Sequence, residues 1–432
     1  MRGMRRVAVA LVAGGLLGVP VPAYGHSEQS GQSVRVDPVG YADRQAGQSG
    51  RKTSTVPTTP AVPCPQPRPA VARPPRAVPP PDNPADRAVG GAALATPGLA
   101  TPAGAAGPPP VSATSWLVAD LDSGAVVGGC DPHQYATPAS VQKLLLIETM
   151  LSKLDPTRVV EVTADDMAFE PGSSAVGLVA GGRYTVETLW LGLLLNSGND
   201  AANVLARIGG GADGLPGGLA AMNAEARRLG AYQTHAVTPS GLDGPGQFTS
   251  AYDLALIARG CFAREDFRRY VATRTADIPA APPRSPKGFR ITNDNQLLFR
   301  YPGALGGKTG YTDLARHTFV GAAERDGRRL VVTLVGAEAA PQRGWEQAAT
   351  LLDWGFGTPR DARVGELVTP AQPTPTTGTA APSAVAGADA APGSGGVSWG
   401  PRTGVIGLAL AGSVAVPLLV RQRLVRRRRR AG

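Results

Sequence analysis

The heptapeptide Thr137-Pro-Ala-Ser140-Val-Gln-Lys143 stands directly before the apolar run 144–147. The pattern predicts the first turn of a buried helix, because Thr137 can cap it and proline is tolerated at the first helical position. Residues three apart on a helix share a face. The Ser140 hydroxyl and the Lys143 amine are therefore expected to meet at the positive end of the helix dipole, which disfavours a protonated amine. This stretch predicts a nucleophile beside its base.

The spacing Ser-x-x-Lys is informative only in such a context. Ser49-Gly-Arg-Lys52 has the same spacing but lies in a polar stretch with no helical pattern. The lysine itself carries more information, since the chain has 43 basic residues and only five of them are lysines. Arginine keeps its proton near neutral pH, whereas a desolvated lysine can lose it.

The charge of the chain is concentrated at its two ends. The net charge is +10, and three arginines before residue 7 and seven after Val420 account for it. The remainder is nearly neutral, so the high isoelectric point gives no reason to predict a nucleic-acid partner. Residues 1–25 combine a basic start, an apolar run and a small-x-small site, which predicts a secretory signal peptide; the alternative is an uncleaved anchor.

Two stretches rich in proline, glycine and small residues are predicted to be linkers. Residues 26–112 contain many Pro-x-Pro and Pro-Pro runs with little hydrophobic periodicity, and residues 364–402 have a similar composition. Such segments bury too little apolar surface to offset chain entropy, so we expect an extended, disordered tether before the domain. A proline-rich ligand for a partner domain is the alternative for the first stretch.

Residues 403–420 are apolar and are followed by the arginine-rich segment 421–432. Eighteen helical residues span roughly 27 Å, close to the thickness of a bilayer core. The positive-inside rule then predicts a single transmembrane helix, an extracytoplasmic domain and a basic cytoplasmic tail. A cleaved sorting tail or a buried helix is the alternative.

Residues 113–363 carry the patterns of one ordered domain. Segments 116–120 and 125–128 predict a hairpin, and segments 317–323 and 329–336 predict two more strands around a turn at Asp326-Gly327. Helical patterns fill the region between them. Strands at both ends and helices in the middle predict an α+β fold, in which an antiparallel sheet assembles from the two ends of the domain.

Two further polar motifs fall at informative places. Ser197-Gly-Asn199 separates two apolar helical segments, 184–195 and 201–208. The motif can be a simple turn with an N-cap, or it can offer a hydroxyl and an amide to a cleft. Lys308-Thr-Gly310 lies among glycines, which let a strand edge approach and pair with a peptide.

In this order, the three motifs resemble those of penicillin-binding proteins and serine β-lactamases. The sequence that flanks the motifs, such as residues 195–202 and 307–312, is most similar to that of the D-alanyl-D-alanine carboxypeptidases, which are low-molecular-mass penicillin-binding proteins. The resemblance covers roughly residues 116–356. It implies a transpeptidase-like fold, with an antiparallel sheet flanked by helices and an all-helical subdomain.

The resemblance also implies a role for each motif residue. Ser140 would attack the carbonyl between two terminal D-alanines of a peptidoglycan stem, with Lys143 as its base. Ser197 would pass a proton to the leaving group. The substrate-binding residues would be Asn199 for the amide, Lys308 and Thr309 for the terminal carboxylate, and Gly310 and Tyr311 along the strand edge. The Ser140 and Tyr311 N–H groups would form the oxyanion hole.

The same resemblance implies that β-lactams acylate the protein and that no metal or cofactor is needed. Four histidines and three cysteines are scattered along the chain without the spacing of a zinc site. Two departures stand out: Ala315-Arg316 replaces a frequent Ala-Gly, and no second β-rich domain follows. An oxidising compartment suggests a disulfide between Cys130 and Cys261, with Cys64 left over in the tether.

Two other functions are compatible with the motifs. A β-lactamase needs a glutamate to activate water for deacylation, and the nearest candidate is Glu225, in a segment that reads as helix interior. A non-catalytic β-lactam sensor or wall-binding scaffold belongs to a different class. The short tail and the complete set of reactive residues favour a carboxypeptidase instead.

Overall fold

The structure, a computed structural model, describes residues 61–68, 73 and 75–369. The strands, in chain order, are β1 (Leu99–Ala100), β2 (Ser115–Asp120), β3 (Ala125–Cys130), β4 (Val159–Glu161), β5 (Arg183–Thr185), β6 (Thr275–Ile278), β7 (Phe289–Thr292), β8 (Ala304–Thr312), β9 (Arg316–Arg325), β10 (Arg328–Ala337) and β11 (Gly365–Glu366).

The helices, in chain order, are α1 (Pro84–Arg87), α2 (Ala92–Ala95), α3 (Lys143–Met150), α4 (Val186–Leu195), α5 (Asn199–Gly209), α6 (Gly214–Leu229), α7 (Ala251–Ala263), α8 (Glu265–Val271), α9 (Leu297–Arg300) and α10 (Gly344–Gly357). Three short 3-10 helices cover Ala139–Gln142, Asp165–Met167 and Gly211–Asp213. Within the described part of the chain, no helix is both long and apolar enough to cross a membrane.

One antiparallel sheet joins the two ends of the domain, as the sequence predicted. Its strands run in the order β1-β3-β2-β10-β9-β8, and β11 pairs with β3. The two ends of the domain meet at the β2 and β10 pair, where Ser115 lies opposite Val335 and Asp120 opposite Leu330. The edge strand β8 contains Lys308-Thr-Gly310, which confirms the predicted edge position.

Successive side chains of each strand point to opposite faces of the sheet, and a hydrophobic core lies on each face. On β10, Leu330, Val332 and Leu334 pack in the core beneath α10, whereas Val331 and Val335 pack against the other helices. The second core surrounds α3, in which every residue except Glu148 is buried. Helix α3 is therefore hydrophobic on all sides, as expected for a central helix.

The predicted local signals mostly form as expected. The Thr185 hydroxyl caps α4 by accepting a hydrogen bond from the Thr188 N–H, and Ser250 caps α7 in the same way at Asp253. Gly230 ends α6 in the left-handed conformation, with φ of 83°. Helices α4, α5 and α6 pack together and against α3 in the helical half of the molecule.

The predicted tether is wrong for its described part. Helices α1 and α2 and strand β1 lie between residues 84 and 100, and β1 pairs with β3. The Leu99 N–H also donates to the Val62 carbonyl at 2.7 Å, which attaches the preceding segment. The domain likewise continues past residue 363, because β11 pairs with β3 and Leu367 is buried.

The predicted disulfide is also wrong. Cys130 pairs with Cys64, 66 residues earlier, and Cys261 is a free, buried thiol whose S–H donates to the Leu144 carbonyl. Cys64 lies in a proline-rich stretch whose composition predicted a disordered linker, which is why its pairing was not expected. The signal peptide (1–25), the transmembrane helix (403–420) and the basic tail (421–432) lie outside the described residues.

Candidate active site

The nucleophile helix begins with a turn that differs from the prediction. Thr137 does not cap it; residues Ala139–Gln142 form a 3-10 turn that leads into α3. Ala139 has φ of 48°, in the left-handed region that non-glycine residues rarely adopt. The Thr318 hydroxyl of β9 donates to the Pro138 carbonyl at 2.8 Å and holds this turn against the sheet. The surrounding structure thus imposes the conformation just before Ser140.

Lys143 is fully buried and contacts the predicted nucleophile. Its Nζ donates to Ser140 Oγ, to Asn199 Oδ1 and to the Ser240 carbonyl, each at 2.8 Å. Burial is the main cause that lowers the pKa of this amine well below its usual value, and the positive charge of Lys308 lowers it further. The Asp200 carboxylate acts in the opposite direction.

These contacts define how a proton can move. A neutral amine has two N–H groups, which can donate hydrogen bonds to the amide oxygen of Asn199 and to the Ser240 carbonyl. The nitrogen lone pair then faces Ser140. In that state the amine accepts the hydroxyl proton. After transfer, the ammonium has three donors for three acceptors. The geometry therefore suits proton exchange between Ser140 and Lys143.

The Ser197-Gly-Asn199 motif enters the same site. Ser197 has φ of 57° and is buried, and its hydroxyl has no hydrogen-bond partner among the described residues. Asn199 begins α5, and both ends of its side-chain amide are hydrogen-bonded. Its Oδ1 accepts from Lys143 Nζ, and its Nδ2 donates to Ser173 Oγ at 3.0 Å. Asn199 thus contacts Lys143 directly, a role that the sequence analysis did not predict.

On β8, Lys308 shares a strand face with Gly310, the residue whose Cβ position faces Ser140. Its side chain is buried, and its Nζ donates to the Thr309 carbonyl at 2.7 Å. Burial lowers its pKa to about 8, and the nearby Asp294 opposes that effect. Thr309, Gly310 and Tyr311 line the cleft instead. Lys308 is therefore close enough for its positive charge to lower the pKa of Lys143, although its buried side chain is not among the residues that line the cleft.

One cleft of about 380 Å³ brings most of the predicted residues together. The predicted residues in its lining are Ser140, Ser197, Asn199, Thr309, Gly310 and Tyr311. A second cavity of about 240 Å³ shares Thr309 and Gly310 with the cleft and extends to Arg343 and Trp345 near the start of α10.

Several residues of the site were missed by sequence reasoning. Ser173, Asp294 and the Ser240 carbonyl all belong to loops, where no periodic pattern marks a buried or site-facing residue. Arg343 could not be singled out from sequence, because the chain contains many arginines and no motif marks this one. The Gly-Ser-Ser run at 172–174 was the one available signal, since small polar residues favour a loop that approaches other backbone.

Arg316 stands where the resemblance suggested glycine. Its φ of 55° is the left-handed conformation that glycine adopts readily, which accounts for the usual residue. The guanidinium donates to both carboxylate oxygens of Glu338, at 2.9 and 3.0 Å, and to the Tyr311 hydroxyl at 3.0 Å. The added positive charge is thus paired, and it fixes the ring of Tyr311 at the cleft.

Comparison with known proteins agrees with this geometry. The sequence profile of the family described as D-alanyl-D-alanine carboxypeptidase, peptidase S11, matches residues 103–339. The chain is 47% identical over 272 residues to D-alanyl-D-alanine carboxypeptidase DacB2 of Mycobacterium tuberculosis, a match covering 62% of this chain and 90% of that protein. It is 33% identical over 259 residues to DacD of Salmonella typhimurium, covering 57% and 64% of the two chains.

Solved structures show the same similarity. A D-alanyl-D-alanine carboxypeptidase from Mycobacterium tuberculosis superposes with a TM-score of 0.58 at 45% identity, covering 62% of this chain and 100% of that one. The Streptomyces K15 DD-transpeptidase superposes with a TM-score of 0.55 at 25% identity, covering 58% and 99%. Since the family profile spans more than half of the chain, the protein belongs to the D-alanyl-D-alanine carboxypeptidase family of serine peptidases, with the mixed α/β fold of penicillin-binding proteins.

Proposed function

We propose that this protein removes the terminal D-alanine from pentapeptide stems of peptidoglycan through an acyl-enzyme on Ser140. The observation that carries the proposal is the contact between Ser140 Oγ and the fully buried Lys143 Nζ at 2.8 Å. A desolvated amine with a lowered pKa is the kind of base that activates a serine without a histidine. Family membership supplies the substrate class.

In the acylation step, Ser140 Oγ attacks the carbonyl carbon of the penultimate D-alanine while its proton passes to Lys143. The peptide C–N bond then breaks as the leaving nitrogen receives a proton through the Ser197 hydroxyl. That hydroxyl is buried, unpartnered among the described residues and on the cleft wall, which suits a proton relay. Water subsequently hydrolyses the ester, releases the shortened stem and restores the Ser140 hydroxyl.

The substrate would lie along the edge of β8. The Ser140 and Tyr311 N–H groups would donate to the developing oxyanion, and Gly310 allows the strand to approach Ser140 closely. The terminal carboxylate would contact the Thr309 hydroxyl. Arg343 lines the cavity that shares Thr309, and its guanidinium suits a carboxylate. The buried Lys308 would contribute its positive charge to the site. The same groups would bind the carboxylate of a penicillin.

The two alternative functions gain no support from the structure. Glu225, the candidate for a water-activating glutamate, lies in α6 and is paired with Arg228. The cleft lining does not include it. A β-lactam sensor that is acylated would use the same pair of Ser140 and Lys143, so release of D-alanine is the measurement that separates it from a carboxypeptidase.

We further propose that the domain acts outside the cytoplasm, after export by residues 1–25, and is held at the membrane by residues 403–420. The disulfide between Cys64 and Cys130 supports this location, since such bonds persist in oxidising compartments. Protease protection of the basic tail in membrane vesicles tests the topology.

The activity is tested with the full-length protein, a synthetic pentapeptide stem and a cross-linked dimer of stems. Release of D-alanine by the wild type, and its loss in Ser140→Ala, is the expected result. Cleavage of the dimer would add endopeptidase action. Acylation by penicillin without release of D-alanine and without dimer cleavage would favour the sensor instead.

A further inference from the structure

Residues 173–178, here called the cleft segment, contribute to one wall of the proposed active site, and the role we assign to them rests on the proposed function. Ser173 and Ser174 line the cleft. The segment has no regular secondary structure, and therefore no helix or strand ladder holds it in place. Its backbone groups must find other partners.

The main partner of the cleft segment is the Asp200 carboxylate in the first turn of α5. It accepts hydrogen bonds from the backbone N–H groups of Val176, Gly177 and Leu178, at 2.9, 3.0 and 3.0 Å. Asp200 is fully buried. A buried carboxylate with several backbone donors forms strong, charge-assisted hydrogen bonds. Removing it would leave three donors unsatisfied.

Two further bonds attach the cleft segment to the residues around Asp200. Asn196 Nδ2 donates to the Ala175 carbonyl at 2.8 Å, and the Asn199 N–H donates to the Ser174 carbonyl at 3.0 Å. Consecutive residues of the segment are thus bonded to the end of α4 and the start of α5.

Ser173 then determines which way the Asn199 amide points. The Ser173 hydroxyl has one proton, which it donates to the Glu170 carbonyl at 2.6 Å. Its oxygen can therefore only accept from Asn199, whose Nδ2 lies 3.0 Å away. With Nδ2 committed to Ser173, Oδ1 faces Lys143 Nζ at 2.8 Å. A flipped amide would set N–H groups against the lysine.

We propose that Asp200 is a positioning residue for acylation: it holds the cleft segment, so that Ser173 orients the Asn199 amide and that amide keeps the Lys143 amine on Ser140.

The charge of Asp200 adds an effect that a purely structural residue would lack. The charged groups that act on Lys143 are Asp200 from α5 and Lys308 from β8, with Asp294 next to Lys308. The negative charge of Asp200 raises the pKa of Lys143 against the effect of burial. Loss of that charge therefore lowers the pKa, and the acid limb of the rate profile moves to lower pH.

The test compares full-length Asp200→Asn and Ser173→Ala with the wild type, using the rate of acylation by a labelled penicillin between about pH 6 and about pH 10. Asp213→Asn, at an exposed aspartate of the same helical region, is the matched control. We expect the acylation rate of Asp200→Asn to fall about 100-fold and the acid limb of its pH profile to move to lower pH. The acylation rate of Ser173→Ala should fall about tenfold, with the acid limb unmoved. The control should match the wild type.

A folded Asp200→Asn protein within about twofold of the wild-type rate, or with an unmoved acid limb, overturns the proposal. Thermal melting establishes folding. If this variant does not unfold cooperatively, the proposal is judged on Ser173→Ala alone. An acylation rate equal to that of the wild type overturns the proposal, and a tenfold lower rate with an unchanged melting temperature supports it. Failure of the proposed function is distinguishable, because the wild type itself would then release no D-alanine from a pentapeptide stem.

Discussion

Replacing Gly310 by alanine tests whether the nucleophile depends on the close approach of β8. A Cβ built on Gly310 lies 2.8 Å from the Ser140 backbone nitrogen and 3.1 Å from Ala139 Cβ, and closer still to Thr318 Oγ1. Ordinary contact begins at 3.4 Å, so reaching it requires β8 and the Ser140 turn to separate by about 0.6 Å. Gly310 does not have positive φ, and backbone strain therefore does not contribute.

The displacement should affect the reaction more than the fold. Overpacking a well-packed site costs about 1–3 kcal/mol of stability, whereas misplacing one oxyanion donor costs about 10²–10³ in rate. We therefore expect acylation by a labelled penicillin to fall at least about 100-fold, with a melting temperature only a few degrees lower. Release of D-alanine from a pentapeptide should fall in parallel.

Two variants sharpen this test. Gly357→Ala is the matched control, because a Cβ at Gly357 has no atom within 4 Å. Adding Thr318→Ala to Gly310→Ala removes one clash but also the hydroxyl that donates to the Pro138 carbonyl. The clash with Ser140 remains, so the added substitution should not restore the rate. Acylation of Gly310→Ala within about threefold of the wild type would refute the reasoning.

Three further predictions concern buried groups of the domain. Lys143→Arg should lower penicillin acylation by about 10²–10⁴, because arginine does not release its proton; a near wild-type rate would contradict the assignment of the base. Burial raises the pKa of Glu148 from its usual 4.5 to about 7, so its ionisation costs stability as pH rises through that interval. Glu148→Gln should therefore raise the free energy of unfolding in urea by up to about 3 kcal/mol above pH 7 and change it little near pH 4; an equal change at both pH values would argue against a buried ionisation. Cys64→Ser opens a disulfide between residues 66 apart and should lower that free energy by up to about 4 kcal/mol. Its acylation rate should stay unchanged, because β3 and β8 lie far apart in the strand order, and a slower rate would show coupling across the sheet.

Local chemistry made much of the fold predictable. The hairpin of β2 and β3, the Thr185 and Ser250 caps and the Asp326-Gly327 turn each depend on a few neighbouring residues. The pairing of strands from the two ends of the domain followed from the order of the elements, since these strands need partners in one sheet. These features form because short-range preferences and the global arrangement agree.

Two predictions went wrong for the same reason. Proline-rich composition indicated an extended tether, but the described part of residues 61–112 packs on β3, and Cys64 reaches Cys130. Composition reports how much apolar surface a segment can bury by itself. It does not report whether an existing sheet edge and a cysteine partner offer the segment somewhere to attach.

The sequence alone determined which chemistry is present: a serine three residues before a lysine at a helix start, and two further motifs in a fixed order. The tertiary structure alone decided the relations among them, namely that Lys143 contacts Asn199 and the Ser240 carbonyl, that the buried Lys308 donates to the Thr309 carbonyl, and that Asp200 holds the cleft segment. The physical reason is that motif spacing depends on local backbone geometry, whereas burial and hydrogen-bond partners depend on segments far apart in the chain.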